Sequence, residues 1–239
     1  ILIQKNHPLQ KFLKIMKKNI KNIKEFEKKV FSQKKVSTKN YNSEYFNSKW
    51  RKDNSSYHID ERRKIEGKNP LLIKKVFKPK KVLDMGCGPG ALLYLLDEIG
   101  VNCYGIDPSV HVKKIAPKKI WKKIKLGSTS KNNEKDKSYD LVICREVFEH
   151  LTILEIKKAV SELCRISSKF IYLTTRFHQK PISIFDTTTE FEVDPTHITC
   201  LNKNLLRMMF ILEGYKSRPD LEKKMDWLNK KRVLVYEKK

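Results

Sequence analysis

The sequence predicts an α/β fold in which a mostly parallel sheet has helices on both faces and follows a helical N-terminal extension. From Lys81 onward, short apolar segments such as KVLDM, NCYGID and YDLVIC alternate with segments of helical periodicity such as ALLYLLDEIG. This alternation is typical of parallel strands joined by right-handed crossovers. In the first 35 residues, apolar side chains recur at spacings of three, four and seven among lysines, which predicts a basic amphipathic helix.

The predicted organisation has three parts. Residues 1–35 form the helical extension. Residues 36–80 form a loop with several aromatic side chains and a helix from Asp60 to Phe77, interrupted near Gly67 and Pro70, and we expect this part to cover the active site. Residues 81–239 form the main domain. Its predicted elements are strand KVLDM, helix ALLYLLDEIG, strand NCYGID, a helix near Val110, strands KKIKLGS and YDLVIC, helix Thr152–Ile166, strand KFIYLTT, helix Lys203–Glu213 and strand RVLVYE.

The charge of the chain suggests a nucleic-acid partner, but its composition argues against one. The formal net charge is +25 over 239 residues, yet nine of the 52 basic residues are arginine. Arginine makes bidentate contacts with phosphate that lysine cannot make, so a phosphate-binding surface is expected to contain more of it. The surplus of lysine, together with isoleucine and asparagine, is typical of an AT-rich genome. We therefore interpret the charge as a compositional and solubility feature.

The five cysteines indicate neither a metal site nor a disulfide framework, because they are scattered, with no CxxC pair and no zinc-finger spacing to histidine. Free thiols beside apolar segments are typical of the reducing cytoplasm, which is the expected location. No apolar segment approaches the roughly 20 residues that a membrane span requires. The basic extension is compatible with docking on an anionic membrane surface, or with packing as an ordinary helix.

The most informative segment is KVLDMGCGPGALLYLL, where a buried strand leads through Gly86, Gly88 and Gly90 into a helix. Glycine has no Cβ and adopts positive φ, so the backbone of such a turn can approach a ligand closely. The following helix N-terminus offers unpaired N–H groups. The glycine spacing also fits the loose dinucleotide pattern, so the segment alone leaves two cofactor classes open.

Three further features separate these classes. Asp84 stands at the strand end, where a carboxylate suits an ammonium group better than a pyrophosphate. Asp107 ends the next strand, where a carboxylate can accept hydrogen bonds from ribose hydroxyls, a feature that the dinucleotide-binding folds share. YDLVICREVFEHL places a charged cluster after another buried strand. With these features, the region from Lys81 to Glu237 resembles the class I S-adenosylmethionine-dependent methyltransferases, which have a Rossmann-like, doubly wound sheet.

The resemblance implies that S-adenosylmethionine is the cofactor, and it implies a role for each motif. The three glycines would wrap its methionine and ribose portions, Asp84 would lie near the amino group and Asp107 would bind the ribose. The family's acidic residue facing adenine is replaced here by Gly127, Ser128 and Thr129. The full set of predicted cofactor-binding residues is Asp84, Gly86, Cys87, Gly88, Gly90, Asp107, Pro108, Ser128, Arg145 and Glu146. The Cys87 and Cys144 thiols are expected to pack in the interior.

Two histidines are the candidate catalytic residues. His150 belongs to the EHL sequence and His197 to a DPTHIT segment that resembles an active-site loop of related methyltransferases. Either is suited to remove a proton from a hydroxyl or amine acceptor, and His58 is a further candidate. Each also has a structural interpretation, as a helix-opening or loop residue. Residues 36–80 and 176–200 are expected to form the acceptor pocket.

A small-molecule or saccharide-type acceptor is favoured because the sequence contains no separate RNA-binding module. An RNA methyltransferase using the lysine-rich surface is the alternative. A nicotinamide-dependent oxidoreductase and a non-catalytic protein that retains the fold are two further alternatives from other functional classes.

Overall fold

The computed structural model describes residues 23–47, 57–177 and 194–239. The chain divides into two compact units, residues 1–34 and residues 35–239. In the first unit, residues 23–32 are helical, which agrees with the predicted amphipathic helix over that part, whereas residues 1–22 of that prediction lie outside the described residues. All that follows concerns the second unit.

The second unit is built around a seven-stranded sheet, and the predicted α/β fold is confirmed. Its strands are β1 (Val82–Met85), β2 (Cys103–Asp107), β3 (Ile124–Leu126), β4 (Tyr139–Arg145), β5 (Ser167–Thr174), β6 (Tyr215–Ser217) and β7 (Val233–Lys238). They lie in the order β3-β2-β1-β4-β5-β7-β6. The first five are parallel, and β7 runs antiparallel between β5 and β6.

The helices match most of the predicted elements. They are α1 (Ser43–Phe46), α2 (Ile59–Glu66), α3 (Asn69–Phe77), α4 (Ala91–Glu98), α5 (Val112–Ile115), α6 (Ile153–Ile166), α7 (Lys203–Leu212) and α8 (Pro219–Met225), with 3₁₀ turns at Thr38–Asn40, Lys118–Lys123 and Phe148–His150. The predicted interruption near Gly67 separates α2 from α3. The loop predicted between residues 37 and 56 contains α1, and its residues 48–56 lie outside the described residues.

Local chemistry explains where the longest helix begins. Thr152 caps α6 by accepting a hydrogen bond from the Glu155 backbone N–H, and the Glu155 side chain accepts one from the Thr152 backbone N–H. This reciprocal capping box satisfies two donors that have no partner inside the helix. α6 then buries Ile156, Val160 and Leu163 at helical spacing against the sheet. The apolar period and the cap together place the helix where the sequence predicted it.

In the C-terminal part of the chain, the sequence prediction missed two further elements. β6 has three residues and directly follows Gly214, so it is too short to show strand alternation. α8 has recognisable signals, because Pro219 lies in its first turn, which also contains Asp220, and Lys224 lies in its last. Among the described residues, none of the helices is long and apolar enough to cross a bilayer.

Candidate active site

A large cavity lies at the carboxyl ends of the parallel strands. The chain runs from β1 to β2 and β3 on one side of the sheet and then crosses to β4 and β5 on the other. Open α/β sheets bind ligands at such a switch point, outside the carboxyl ends of the strands. The cavity here has a volume of about 820 Å³, and its wall includes residues that follow both β1 and β4, such as Gly86 and Glu146.

The loop after β1 is fixed by the neighbouring strand. The Gly86 backbone N–H donates to the Ile106 carbonyl oxygen at 2.7 Å, and the Gly88 N–H donates to Oδ2 of Asp107 at 2.8 Å. The other carboxylate oxygen of Asp107 accepts a hydrogen bond from the Ser109 N–H at 2.9 Å. Asp107 therefore ties the tip of β2 to the glycine loop, and each of its oxygens retains a second lone pair for a ligand.

The glycines of this loop have different roles. A Cβ on Gly90 would lie 2.5 Å from Cδ1 of Ile120, so this glycine is required by packing and by its φ of 77° at the start of α4. A Cβ on Gly88 would meet Phe46 and Tyr57 at no closer than 3.8 Å, although its φ is 52°. The predicted wrapping role thus fits Gly88, which lines the cavity, better than Gly90.

Two buried carboxyl groups line the cavity beside this loop. Burial raises the pKa of Asp84 to about 7, against a lowering influence from Arg145. Burial also raises the pKa of Asp107 to about 6, although the Ser109 and Gly88 N–H groups oppose the rise. A positively charged or hydrogen-bond-donating ligand that replaces the lost water would therefore stabilise the ionised form of both carboxylates. The strand-tip pair forms the acidic end of the cavity.

Arg145 connects the end of β4 with α2. Its Nη1 donates to Oε2 of Glu66 at 2.8 Å, and the same Glu66 oxygen accepts a hydrogen bond from Asn69 at 2.9 Å. Burial by itself would raise the pKa of Glu66, but the Arg145 guanidinium outweighs it and lowers the pKa. Arg145 lines the cavity between Glu66 and Asp84, as a wall residue and as an ion-pair partner.

The two candidate catalytic histidines lie against each other. The ring centroids of His150 and His197 are 4.7 Å apart in an edge-to-face arrangement, and both rings line the cavity. His150 Nδ1 contacts Oγ1 of Thr196 at 2.9 Å. Burial, together with the neighbouring His197, lowers the pKa of His150 to about 4, so its imidazole is neutral near pH 7. His58, the third candidate, contacts Asn47 at 3.2 Å.

Asp194 organises the loop that contains His197. Its Oδ1 accepts hydrogen bonds from both the backbone N–H and the hydroxyl of Thr196, at 2.9 and 2.6 Å. Its Oδ2 accepts one from the hydroxyl of Tyr45 at 3.1 Å and lies 3.7 Å from His197 Nε2. This buried aspartate connects the segment before α2 with the histidine loop.

The remaining predicted site residues also lie at the cavity. Its wall includes Cys87, Pro108, Ser128 and Thr129. The Cys87 side chain also packs on β2, because a Cβ added to Gly105 would lie 2.6 Å from the Cys87 sulfur. Of the predicted acceptor pocket, residues 178–193 lie outside the described part of the chain.

The segment from Met225 to Val233 was not predicted, although it forms one side of the cavity. Trp227 in this segment packs near Gly67, where an added Cβ would lie 3.3 Å from the indole ring. Sequence reasoning missed the segment because it begins 80 positions after Arg145, the last residue of β4. Its aromatic and basic residues next to a predicted strand were the available signal.

The chain matches one protein-family model, described as a methyltransferase domain, over residues 57–174. It is 30% identical over 132 residues to an uncharacterized methyltransferase of Anoxybacillus flavithermus, which covers 52% of this chain and 62% of that protein. It is 42% identical over 45 residues to a probable tRNA (uracil-O(2)-)-methyltransferase of Caenorhabditis briggsae, covering 19% of this chain and 7% of that protein. The chain thus spans less than two thirds of the length of either relative.

Among solved structures, the fold is similar to magnesium protoporphyrin IX methyltransferase from Synechocystis with bound S-adenosylmethionine. The TM-score is 0.57 at 16% identity, covering 87% of this chain and all of that one. This similarity concerns the fold. The family match covers the strands that line the cavity, which favours a methyltransferase over the alternative of a nicotinamide-dependent oxidoreductase. The chain therefore contains a methyltransferase domain over residues 57–174, and its fold is similar to that of a methyltransferase with bound S-adenosylmethionine.

Proposed function

We propose that this chain transfers the methyl group of S-adenosylmethionine to a hydroxyl-bearing small molecule or saccharide-type metabolite. One observation supports this most directly. A single cavity has the glycine loop with Asp84 and Asp107 at one end, and tyrosines with two histidines at the other. Cofactor and acceptor would thus lie side by side, as an in-line displacement requires.

The residues at the acidic end fit the cofactor. The buried Asp84 carboxylate is suited to the ammonium of the methionine portion, and the remaining lone pairs of Asp107 to the ribose hydroxyls. The Gly88 backbone lies open to the cavity, where a ligand can approach it. Arg145 and Glu146 form the wall beside the expected position of the sulfur. When bound, the cofactor supplies an activated methyl group, so the protein mainly orients the acceptor and excludes water.

The other end of the cavity is suited to a compact acceptor. Tyr41 and Tyr45 provide flat surfaces on which a ring can stack, and His150 and His197 provide nitrogen atoms for a hydroxyl. A neutral His150 can accept a proton, although its lowered pKa makes it a weak base. The cavity volume falls in the range of about 300–1,000 Å³ that is typical of small-molecule sites.

RNA remains the second candidate acceptor. The net charge of +25 and the 45-residue similarity to a tRNA methyltransferase favour it. We also propose a cytoplasmic location, because all five cysteines are free thiols.

The test has two stages. Calorimetric titration is expected to show binding of one S-adenosylmethionine per chain, and a chain that does not bind it contradicts the proposal. Transfer of a radiolabelled methyl group is then measured with pooled hydroxylated metabolites and, separately, with total RNA. Label in the metabolite pool supports the proposed acceptor. Label in RNA, with binding that weakens steeply as salt rises, supports the alternative.

A further inference from the structure

Three potential metal ligands meet beside the cavity, from two distant parts of the chain. Glu149 and His150 follow β4, and His197 lies 47 positions further on. One ligand atom from each of the three side chains lies within 4.8 Å of the other two. The backbone holds this arrangement together, because the Ile198 N–H donates to the Glu149 carbonyl oxygen at 2.8 Å.

One oxygen of the buried Glu149 carboxylate lacks a partner. Glu149 is 1% exposed, and its Oε2 accepts a hydrogen bond from the Thr175 hydroxyl at 2.7 Å. Its Oε1 is buried without a hydrogen-bond partner among the described residues. A buried carboxylate oxygen is costly unless it is paired or bound to a metal ion. The adjacent carboxylate of Glu146 increases this cost by repulsion.

The hydrogen bonds around His150 leave one ring nitrogen available as a ligand. The Thr196 hydroxyl has one hydrogen, which it donates to Asp194 at 2.6 Å. At the 2.9 Å contact between Thr196 Oγ1 and His150 Nδ1, the nitrogen must therefore be the donor. A proton on Nδ1 leaves the Nε2 lone pair unprotonated. This is the usual arrangement of a metal-binding histidine, whose second nitrogen donates to a fixed partner.

The backbone of Glu146 is a separate sign of a functional constraint at this point. Its φ is 51°, a left-handed conformation that is unusual for a residue with a side chain. Its N–H donates to the Thr174 carbonyl oxygen at 2.8 Å, which fixes the turn at the end of β4. Such strain clusters at ligand sites, where the surrounding structure determines it. The turn directs the chain so that Glu149 and His150 meet His197.

We propose that Glu149, His150 and His197 bind a divalent first-row transition-metal ion, with Mn²⁺ and Zn²⁺ as the best-suited ions. Two imidazole nitrogens and one carboxylate form a mixed set that suits these ions better than Mg²⁺ or Ca²⁺, which prefer oxygen ligands alone. Metal–nitrogen bonds of about 2.0–2.1 Å bring donor atoms closer than they are here, so binding would draw the three side chains inward.

The ion would have a defined use in the reaction, and this part of the inference rests on the proposed function. His150 and His197 line the cavity at its acceptor end, so an open coordination position would face the acceptor. A bound cation lowers the pKa of a coordinated hydroxyl and fixes its orientation. In that case the two histidines act as ligands, and neither removes the proton itself.

The test is calorimetric titration of MnCl₂ and, separately, ZnCl₂ into the full chain, without an affinity tag, after treatment with EDTA and without S-adenosylmethionine. One ion is expected per chain. Glu149→Gln and His197→Ala are expected to weaken binding by at least about tenfold. Thr196→Val keeps all three ligands but removes the hydrogen-bond partner of His150. Its metal affinity is expected to be about 10–100-fold weaker. Glu44→Gln removes an exposed carboxylate and is the control, with unchanged affinity expected.

The proposal fails if neither ion binds the unaltered chain at millimolar concentration, or if Glu149→Gln and Thr196→Val both bind as tightly as the unaltered chain. Near-UV circular dichroism identifies any variant that does not fold. If a ligand variant does not fold, the metal affinity of Thr196→Val decides the test. S-adenosylmethionine binding is measured on the same samples. A chain that binds the ion but not S-adenosylmethionine contradicts the proposed function and leaves the metal site standing.

Discussion

The two ends of the cavity are built in different ways. The acidic end lies within a short stretch of chain, because Asp84 and Asp107 are 23 positions apart and lie at the ends of neighbouring strands. Its contacts are largely backbone hydrogen bonds, such as that from Gly86 to Ile106. The acceptor end joins distant segments through side chains. Tyr45 reaches Asp194 across 149 positions of sequence.

This difference indicates which end of the cavity a short motif can define and which end depends on individual side chains. A backbone cradle next to two strand-tip carboxylates needs few specific side chains, so one short motif can define it. The acceptor end depends on individual polar contacts between loops, and a change in any loop can alter it. We therefore expect the cofactor end to tolerate changes in distant loops and the acceptor end to be sensitive to them. Four predictions test this contrast, beginning with the largest expected effect.

Glu66→Gln tests whether α2 is held to the end of β4 by an ion pair. The change leaves the buried Arg145 guanidinium without its ion-pair partner, which typically costs about 3–5 kcal/mol. The free energy of unfolding, measured by urea denaturation, is expected to fall by that amount. Asp220→Asn, which breaks an exposed pair with Arg218, is expected to leave the denaturation midpoint almost unchanged. Equal midpoints for both variants would contradict this role of Glu66.

Asp107→Ala tests the cofactor end. The change removes two charge-assisted hydrogen bonds to the Gly88 and Ser109 N–H groups, each worth about 1.5–3 kcal/mol. The affinity for S-adenosylmethionine, measured by calorimetry, is expected to fall about 100-fold. Asp107→Asn keeps one acceptor oxygen, so its affinity is expected to lie between that of the unaltered chain and that of Asp107→Ala. Asp136→Asn, at an exposed position, is the control. Unaltered affinity in Asp107→Ala would remove Asp107 from the site.

Three glycine variants separate packing from ligand approach. Gly90→Ala forces a Cβ against Ile120 and is expected to lower the free energy of unfolding by about 1–3 kcal/mol more than Gly100→Ala. Gly100 has a similar φ of 76° but open space around it, so it measures the backbone cost alone. Gly88→Ala is expected to resemble Gly100→Ala in stability and to weaken cofactor binding. If Gly90→Ala is no less stable than Gly100→Ala, the packing role is wrong.

The pH dependence of cofactor binding gives the smallest expected effect. With a pKa of about 7, Asp84 is ionised at pH 8 and mostly protonated at pH 6 in the free protein. An ammonium group binds the ionised form, so affinity is expected to be about tenfold weaker at pH 6 than at pH 8. Because burial raises this pKa above its unfolded value, Asp84 itself favours folding more as the pH falls through 7. The two effects have opposite signs.

Asp84→Asn is the matched variant for this measurement. It removes the titrating group with little change in shape, so the calorimetric affinity profile is expected to flatten between pH 6 and pH 8. A profile that stays as steep as that of the unaltered chain would assign the dependence to another group. Asp107, whose pKa is raised to about 6, would then be the first to examine.

The sequence predicted the parallel strands and the glycine loop well because their signals are local. Apolar segments such as VLDM and CYGID mark buried strands, and the strand-end aspartates lie within these segments. The methyltransferase domain and the α/β fold are confirmed, whereas the individual site residues stay predictions. β6 was missed because three residues show no alternation. An element can be predicted when the residues that define it lie close together along the chain and are numerous enough to form a pattern.

The histidine cluster shows where sequence reasoning stops. The prediction of no metal site depended on cysteine and histidine spacing along the chain. His150 and His197 are 47 positions apart and meet because the loop before α7 folds back on the end of β4. Likewise, the segment from Met225 to Val233 lies in the connection between β6 and β7, which are antiparallel strands at the far side of the sheet. Neither the contact between the two histidines nor the position of this segment at the cavity follows from a local sequence pattern.

The sheet also shows what some of the abundant lysines do. Both edge strands, β3 and β6, have three residues, and each has an exposed lysine at its centre, Lys125 and Lys216. A short edge with a central charge offers little to another chain that could add a strand to it. At these two positions the lysines thus help to keep neighbouring molecules from joining edge to edge when the protein is concentrated.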